Sequence, residues 1–128
     1  MVSVAVVAFF WTPASQAFRR MAPAQEVQSR ASALPLSQLP PQGQEAYRLI
    51  FKGGPFHYGK DGVVFGNREA QLPRKRRGYY HEYTVPTAGS HTRGARRIVC
   101  GGEIVQSPET CFYSQDHYQS FQKIDPSR

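Results

Sequence analysis

Apolar and polar positions alternate with a period of two along Gly78-Tyr79-Tyr80-His81-Glu82-Tyr83-Thr84-Val85, a stretch rich in aromatic and β-branched residues. That pattern predicts a strand. On it Tyr79, His81, Tyr83 and Val85 face one way, and Tyr80, Glu82 and Thr84 the other. The chain turns through Ala88-Gly89 and returns from Arg93 to Gly101 as a second strand, with Arg97 and Val99 on one face and Ile98 and Cys100 on the opposite one. Antiparallel pairing of the two would hold the Glu82 carboxylate beside the guanidiniums of Arg93 and Arg97. A carboxylate amid fixed cations suits proton abstraction next to a phosphate.

Upstream the period changes. Leu39-Pro40-Pro41 leads into Gln42 to Lys52, and Gly53-Gly54-Pro55 follows. Proline at the start, acid in the early turns, a late lysine and glycine just after are helix punctuation in the right order. Ala46, Leu49, Ile50 and Gly53 share a face, which predicts an amphipathic helix of three turns or fewer covering one side of the sheet. A short strand is expected at Val63-Val64-Phe65, and two more at Thr110 to Ser114 and Gln119 to Ile124, flanking a loop Gln115-Asp116-His117-Tyr118. One N-terminal amphipathic helix on a small antiparallel sheet makes an α+β fold, in a domain expected over residues 38–128.

Residues before that domain read differently. Val2 to Trp11 is almost purely apolar and is followed by Ser15-Gln16-Ala17, the pattern of a secretory signal cleaved after Ala17. The run is short for a membrane span. No lysine or arginine precedes it, and a hydrophobic first strand is the other reading. Residues 18–37 are turn-rich with no sustained apolar period, which suggests a mobile arm or pro-segment.

A length of 128 residues bounds the chain to one domain, and 16 Lys and Arg against 9 Asp and Glu give a net charge of +7. That balance favours a polyanionic partner, nucleic acid before an anionic surface. Arg74-Lys75-Arg76-Arg77 is either a solvated loop or a phosphate-binding patch. His-x-His, Cys-x-x-Cys and His-Glu-x-x-His patterns are all missing, so neither metal nor cofactor is expected. If residues 96–101 and 109–114 form a hairpin, Cys100 and Cys111 lie near one another across it, and in an exported protein a disulfide is expected; free, partly buried thiols are the other reading. By alternation His81 sits opposite Glu82, as a packed and hydrogen-bonded residue, while His57 and His91 fall in turns.

Several separate stretches carry a resemblance in order and spacing: Leu39-Pro40-Pro41, Gly54-Pro55-Phe56, Asp61-Gly62-Val63-Val64-Phe65, Asn67-Arg68-Glu69, Gly78 to Val85, Thr92-Arg93-Gly94, Arg96-Arg97-Ile98 and Asp116-His117-Tyr118. Together, from about Leu39 to Ile124, the chain resembles the small secreted guanyl-specific ribonucleases of bacteria, the family that includes barnase, and its actinobacterial branch above all. The resemblance implies cleavage of single-stranded RNA 3′ of guanosine, through a 2′,3′-cyclic phosphate that is then hydrolysed to the 3′-phosphate. In it Glu82 is the base, His117 the acid, Arg93 and Arg97 the phosphate clamp, and Tyr118 a further donor to that phosphate. Glu69 would accept from the N1–H and N2–H edge of guanine, the amides of Asn67 and Arg68 would donate to O6, and Phe65 and Arg68 would pack on the base plane. Gly66 departs from the family, whose members often carry a longer polar residue there, so a side-chain contact is lost and looser selectivity is implied. Cys100 and Cys111 depart too, replacing the bridge that links the termini of the actinobacterial relatives. A secreted monomer is implied, without a membrane partner in its mature form and with a barstar-like acidic inhibitor protein as partner. The rival readings are a catalytically silent basic RNA-binding module, and the same chemistry delivered as an antibacterial toxin.

Overall fold

Two prolines and a glycine set the limits of the helix. The computed structural model describes residues 33–128, with Ala8 upstream. In it α1 spans Pro41–Lys52, with a proline in its first turn, where a missing N–H costs nothing. Gly53 closes it in the left-handed region at φ 86°, its N–H reaching Leu49 O at 2.9 Å and Ile50 O at 3.3 Å. Gly43, Ala46 and Ile50 form the buried stripe, while Leu49 is half-buried and Gly53 exposed. The stripe therefore extends from Ala46 back to Gly43 instead of forward to Gly53. The acid of the early turns is Glu45, one turn in, and the first turn carries none.

Among the described residues five strands form one sheet: β1 (Leu34–Pro35), β2 (Tyr80–Thr84), β3 (Arg97–Gly101), β4 (Thr110–Ser114) and β5 (Gln122–Asp125), in the spatial order β1-β5-β4-β3-β2. β2 to β5 are antiparallel neighbours. β1, however, runs parallel to β5, pairing Leu34 with Ile124 and Pro35 with Asp125. The sheet is thus mixed, a correction to the wholly antiparallel expectation. A two-residue strand that includes a proline is too short to show any period. It also lies in the stretch expected as an arm over residues 18–37, whose end therefore belongs to the sheet. The rest of that stretch, and the expected signal over residues 1–17 apart from Ala8, lie outside the described residues.

Val63-Val64-Phe65 is not a full strand: Val64 alone bridges to His81. The segment still lines the outer edge of β2, through Gly62 N–H to Glu82 O at 2.8 Å, Glu82 N–H to Val63 O at 2.9 Å and Phe65 N–H to Tyr80 O at 2.9 Å. Those bonds cover an edge that would otherwise expose unpaired backbone. β5 starts at Gln122, three residues later than expected.

Both sheet faces are covered. Toward α1, Ala46 and Ile50 pack with Tyr83, Val85, Ile98, Cys100, Cys111, Tyr113 and Ile124. Burying Ile50 alone, at 1% exposure, contributes about 1.5–3 kcal/mol. On the far face Leu72, Tyr79, Tyr80 and Val99 cluster with Phe65, Phe112, Tyr118 and Phe121. Tyr79 belongs to this second cluster, not to the face of His81 as alternation suggested, because it precedes β2 and packs edge-on against Tyr80 at 4.9 Å. Both rings lie over Gly101, where a Cβ would come within 2.7 Å of the Tyr80 ring. Every residue of β3 is buried. Cys100 and Cys111 are direct partners across β3 and β4, 4.1 Å apart at Cα, and are joined as a disulfide.

Candidate active site

β2 turns Glu82 and Thr84 to the face away from the helix, opposite Val99 and Arg97 of β3. Glu82 is held from two sides: Arg93 Nη2 donates to Oε1 at 3.0 Å, and the Tyr118 hydroxyl donates to Oε2 at 2.6 Å. The carboxylate is only 14% exposed, so both bonds act in a partly desolvated setting where charge-assisted contacts are strong. Arg93 is in turn positioned by its Nε, which donates to Thr84 Oγ1 at 2.6 Å, and it lies 3.9 Å from Asp61 Oδ1. Asp61 is itself pinned by the Thr84 backbone N–H at 2.7 Å. The guanidinium thus sits between two carboxylates, Glu82 of β2 and Asp61 of the turn before Val63.

Arg97 is a buried cation at 3% exposure. Its Nη1 donates to Gly94 O at 2.9 Å and to Arg96 O at 2.8 Å, and its guanidinium lies 5.8 Å from the centre of the Tyr118 ring. Arg97 Nε is buried with no hydrogen-bond partner among the described residues. A buried donor of that kind is suited to an anionic oxygen.

His117 and Tyr118 ride on the loop between β4 and β5 with φ of 55° and 70°. Two successive non-glycine residues in the left-handed region must be held there by their surroundings. Ser114 Oγ accepts from the Tyr118 N–H at 2.9 Å and donates to Asp116 Oδ1 at 3.0 Å. Ser120 caps the same carboxylate through its N–H at 2.9 Å and its hydroxyl at 2.6 Å, and His117 N–H donates to Ala95 O at 3.0 Å. The Ser120 hydroxyl, then its amide, holds the Asp116 carboxyl below its ordinary value. Burial, and next the hydrogen bond and charge of Glu82, push the Tyr118 phenol up to about 12, against the opposing pull of Arg97. At neutral pH that hydroxyl is therefore a donor. The exposed His117 imidazole lies against the Tyr118 ring at 4.8 Å.

A cleft of about 450 Å³ opens over these groups, lined by Glu82, His117 and Tyr118 on one side and by Phe65, Gly66, Asn67, Arg68 and Glu69 on the other. Eight of the ten residues singled out from the sequence meet there. Arg93 and Arg97 are bonded to Glu82 and packed against Tyr118 rather than lining the cleft. The loop is closed by Asn67, at φ 49°, whose Oδ1 accepts from Leu72 N–H at 3.1 Å and whose Nδ2 donates to Leu72 O at 2.9 Å. With its side chain so engaged, Asn67 has only its backbone amide to offer a ligand. Glu69 accepts from Gln71 Nε2 at 3.1 Å, and Gln71 also reaches Tyr118 O at 3.0 Å, tying the two sides of the cleft together. Phe65 packs on Tyr118 at 5.1 Å and on Phe121 at 5.9 Å, forming an aromatic floor.

Sequence reasoning missed Gln71 and the positioning groups Thr84, Ser114 and Ser120. Thr84 was within reach, since it shares the Glu82 face by alternation. Ser114 and Ser120 carry only the general signal of hydroxyls flanking an aspartate in a loop.

A helix laid on one face of a sheet, with a carboxylate, two guanidiniums, a histidine and a tyrosine gathered at the other, defines a class already known in solved structures. The fold is similar to that of ribonuclease Sa2, solved in crystals with guanosine-2'-cyclophosphate, at 47% identity and a TM-score of 0.68, over 76% of this chain and 98% of that one. A family model described as ribonuclease matches residues 22–125, and the chain belongs to that ribonuclease family. The match begins inside the stretch expected as an arm. Among its relatives are guanyl-specific ribonuclease Sa3 of Kitasatospora aureofaciens, 54% identical over 89 residues, and guanyl-specific ribonuclease Sa of the same organism, 50% identical over 90 residues. Each alignment covers 70% of this chain; it spans 60% of the length of the Sa3 protein and 90% of the Sa protein.

Proposed function

We propose that the protein is a guanyl-specific, cyclising endoribonuclease acting on single-stranded RNA. The observation that carries the reading is a largely buried carboxylate, Glu82, fixed by Arg93 at 3.0 Å and Tyr118 at 2.6 Å, in one cleft with His117 and a second carboxylate, Glu69. Glu82 accepts the proton of the guanosine 2′-hydroxyl as its oxygen attacks phosphorus. His117 gives a proton to the departing 5′-oxygen, leaving a 2′,3′-cyclic phosphate. Water then opens the ring to the 3′-phosphate, with His117 as base and Glu82 as acid. No proton is gained or lost by the enzyme over the two steps.

Charge gathers on the phosphoryl oxygens in each step, and fixed donors are worth most there. The unpaired Nε of buried Arg97, the Arg93 fork and the Tyr118 hydroxyl, protonated at neutral pH and freed from Glu82 as that carboxylate takes the 2′-hydroxyl proton, are the donors at hand. Selection of guanine follows from Glu69, the one acid in the loop facing Glu82 across the cleft, because two adjacent donors on the base can be met by one carboxylate. The backbone amides of Asn67 and Arg68 supply donors for O6, and the Phe65 floor supplies a stacking surface. The ligand of the similar ribonuclease Sa2, a guanosine cyclic phosphate, is of the kind this scheme produces.

Export fits the Cys100–Cys111 disulfide, which persists in oxidising compartments. A monomer, and an acidic inhibitor protein matched to the +7 chain, complete the reading. The test is digestion of single-stranded RNA by the purified chain in EDTA, with Glu82→Gln and His117→Ala as comparisons. Fragments should end in guanosine 3′-phosphate or its cyclic form, and each variant should lose about 100-fold or more in turnover. Binding without cleavage by the unaltered chain would instead favour a silent RNA-binding module.

A further inference from the structure

Behind the wall formed by Val64 to Arg68 lies a second groove, of about 630 Å³, whose other side is Lys75, Arg76, Arg77 and Gly78. Among the described residues no carboxylate lines it. Arg76 is bonded to Glu103 at 2.8 Å and is partly neutralised. Among the described residues Arg74, Lys75 and Arg77 form no ion pair. The Lys75 ammonium lies 5.4 Å from the centre of the Tyr79 ring, which orients the side chain without cancelling its charge. The same wall, Val64 to Arg68, bounds the cleft that holds Glu82 on its other side. At Gly66, which borders both spaces, a Cβ would meet nothing closer than the Arg68 side chain at 3.6 Å, and the backbone is not in the left-handed region. Neither space nor backbone strain calls for glycine there. What its missing side chain does is lower the wall between cleft and groove.

We propose that this groove is a second, phosphate-binding subsite for the RNA strand whose guanosine occupies the cleft, with Lys75 and Arg77 of its lining, and Arg74 next to them in the chain, neutralising backbone phosphates beside that nucleotide. The proposal rests on the ribonuclease reading and adds a preference for polynucleotides over dinucleotides. The groove shares its wall with the substrate cleft, which favours the substrate strand over a separate acidic protein as occupant.

Each phosphate neutralised on a single strand adds about 0.7 to the slope of log affinity against log salt. Three cations therefore add about 2 to that slope, or roughly 20-fold in affinity between about 50 and 200 mM salt. The experiment compares the full chain with an Arg74→Ser/Lys75→Ser/Arg77→Ser variant on GpC, too short to reach the groove, and on a dodecanucleotide with a single guanosine. A control variant, Lys52→Ser/Lys60→Ser/Lys123→Ser, removes the same charge elsewhere. The groove variant should raise KM for the dodecanucleotide about tenfold or more at low salt and flatten its salt slope by about 2, while turnover and the GpC kinetics hold. The control should change both substrates little. Equal losses on GpC and the dodecanucleotide, an equal effect of the control, or no effect at all would overturn the subsite. If the unaltered chain cleaves neither substrate, the ribonuclease reading falls. Fluorescence anisotropy with the same dodecanucleotide then reads the groove alone: weaker binding by the groove variant supports it, and unchanged binding overturns it. Loss of polyglutamate binding with unchanged dodecanucleotide kinetics would mark a seat for an acidic protein and overturn the RNA assignment.

Discussion

Arg97→Ala separates a cation that acts in the transition state from one that merely attracts RNA. The change removes a guanidinium that is 3% exposed, bonded to Gly94 O and Arg96 O, and packed beneath the Tyr118 ring. Gly94 O loses its donor while Arg96 O keeps the Val85 N–H at 3.1 Å, so a stability loss of about 1–2 kcal/mol is expected, within the range of about 1–3 kcal/mol per buried unsatisfied group. For a folded unit of this size that corresponds to a fall of roughly 10 °C in Tm, which leaves the variant folded at room temperature. The catalytic loss should be larger. Deleting one preorganised donor to a developing oxyanion costs about 100- to 1,000-fold in turnover, or about 3–4 kcal/mol. Initial rates on GpC at saturating concentration and low salt give turnover free of any affinity effect, and circular dichroism on the same sample gives the folded fraction. Arg97→Lys should fall between, because a point charge replaces a fork that grips two carbonyls. A folded Arg97→Ala protein with turnover within about threefold of the original would refute the clamp assignment, as would a defect confined to KM.

Glu69→Ala should cost far more on GpC than on ApC, because only guanine offers the paired donors; equal losses in dinucleotide kinetics would move Glu69 from the base pocket to the scaffold. Cys100→Ser/Cys111→Ser opens a bridge with a sequence separation of 11 and should lower unfolding stability by nearly 3 kcal/mol on the chain-entropy account, read from urea midpoints; an unchanged midpoint would show that the β3–β4 pairing already supplies that constraint.

Much of this architecture is legible in the chain because it is local. The period-two run from Gly78 to Val85 places Glu82 and Thr84 on one face of β2 whatever surrounds them, since successive side chains of a strand must alternate. The facing order of Arg97 to Cys100 follows in the same way, and the hairpin that sets Cys100 against Cys111 needs only neighbouring strands. Prolines before α1 and Gly53 after it mark the helix for equally local reasons, steric and conformational. The resemblance to the guanyl-specific ribonucleases added what alternation cannot supply: that Glu69, Glu82 and His117, distant in sequence, share one cleft.

Tertiary structure decided the rest. β1 exists only because β5, some ninety residues later, offers an edge for Leu34 and Pro35 to join, and two residues carry no period of their own. Tyr79 leaves the alternation because packing against Tyr80 and over Gly101 outweighs a face preference just before the strand. The left-handed pair His117 and Tyr118 is imposed by hydrogen bonds that their N–H groups donate to Ala95 O and Ser114 Oγ, and no intrinsic preference of histidine or tyrosine would select it. The meeting of Tyr118 with Glu82 spans 36 residues and joins a loop to a strand. Hydrophobic and hydroxyl patterns say which way a side chain faces; which distant group it faces depends on how the sheet brings its strands together.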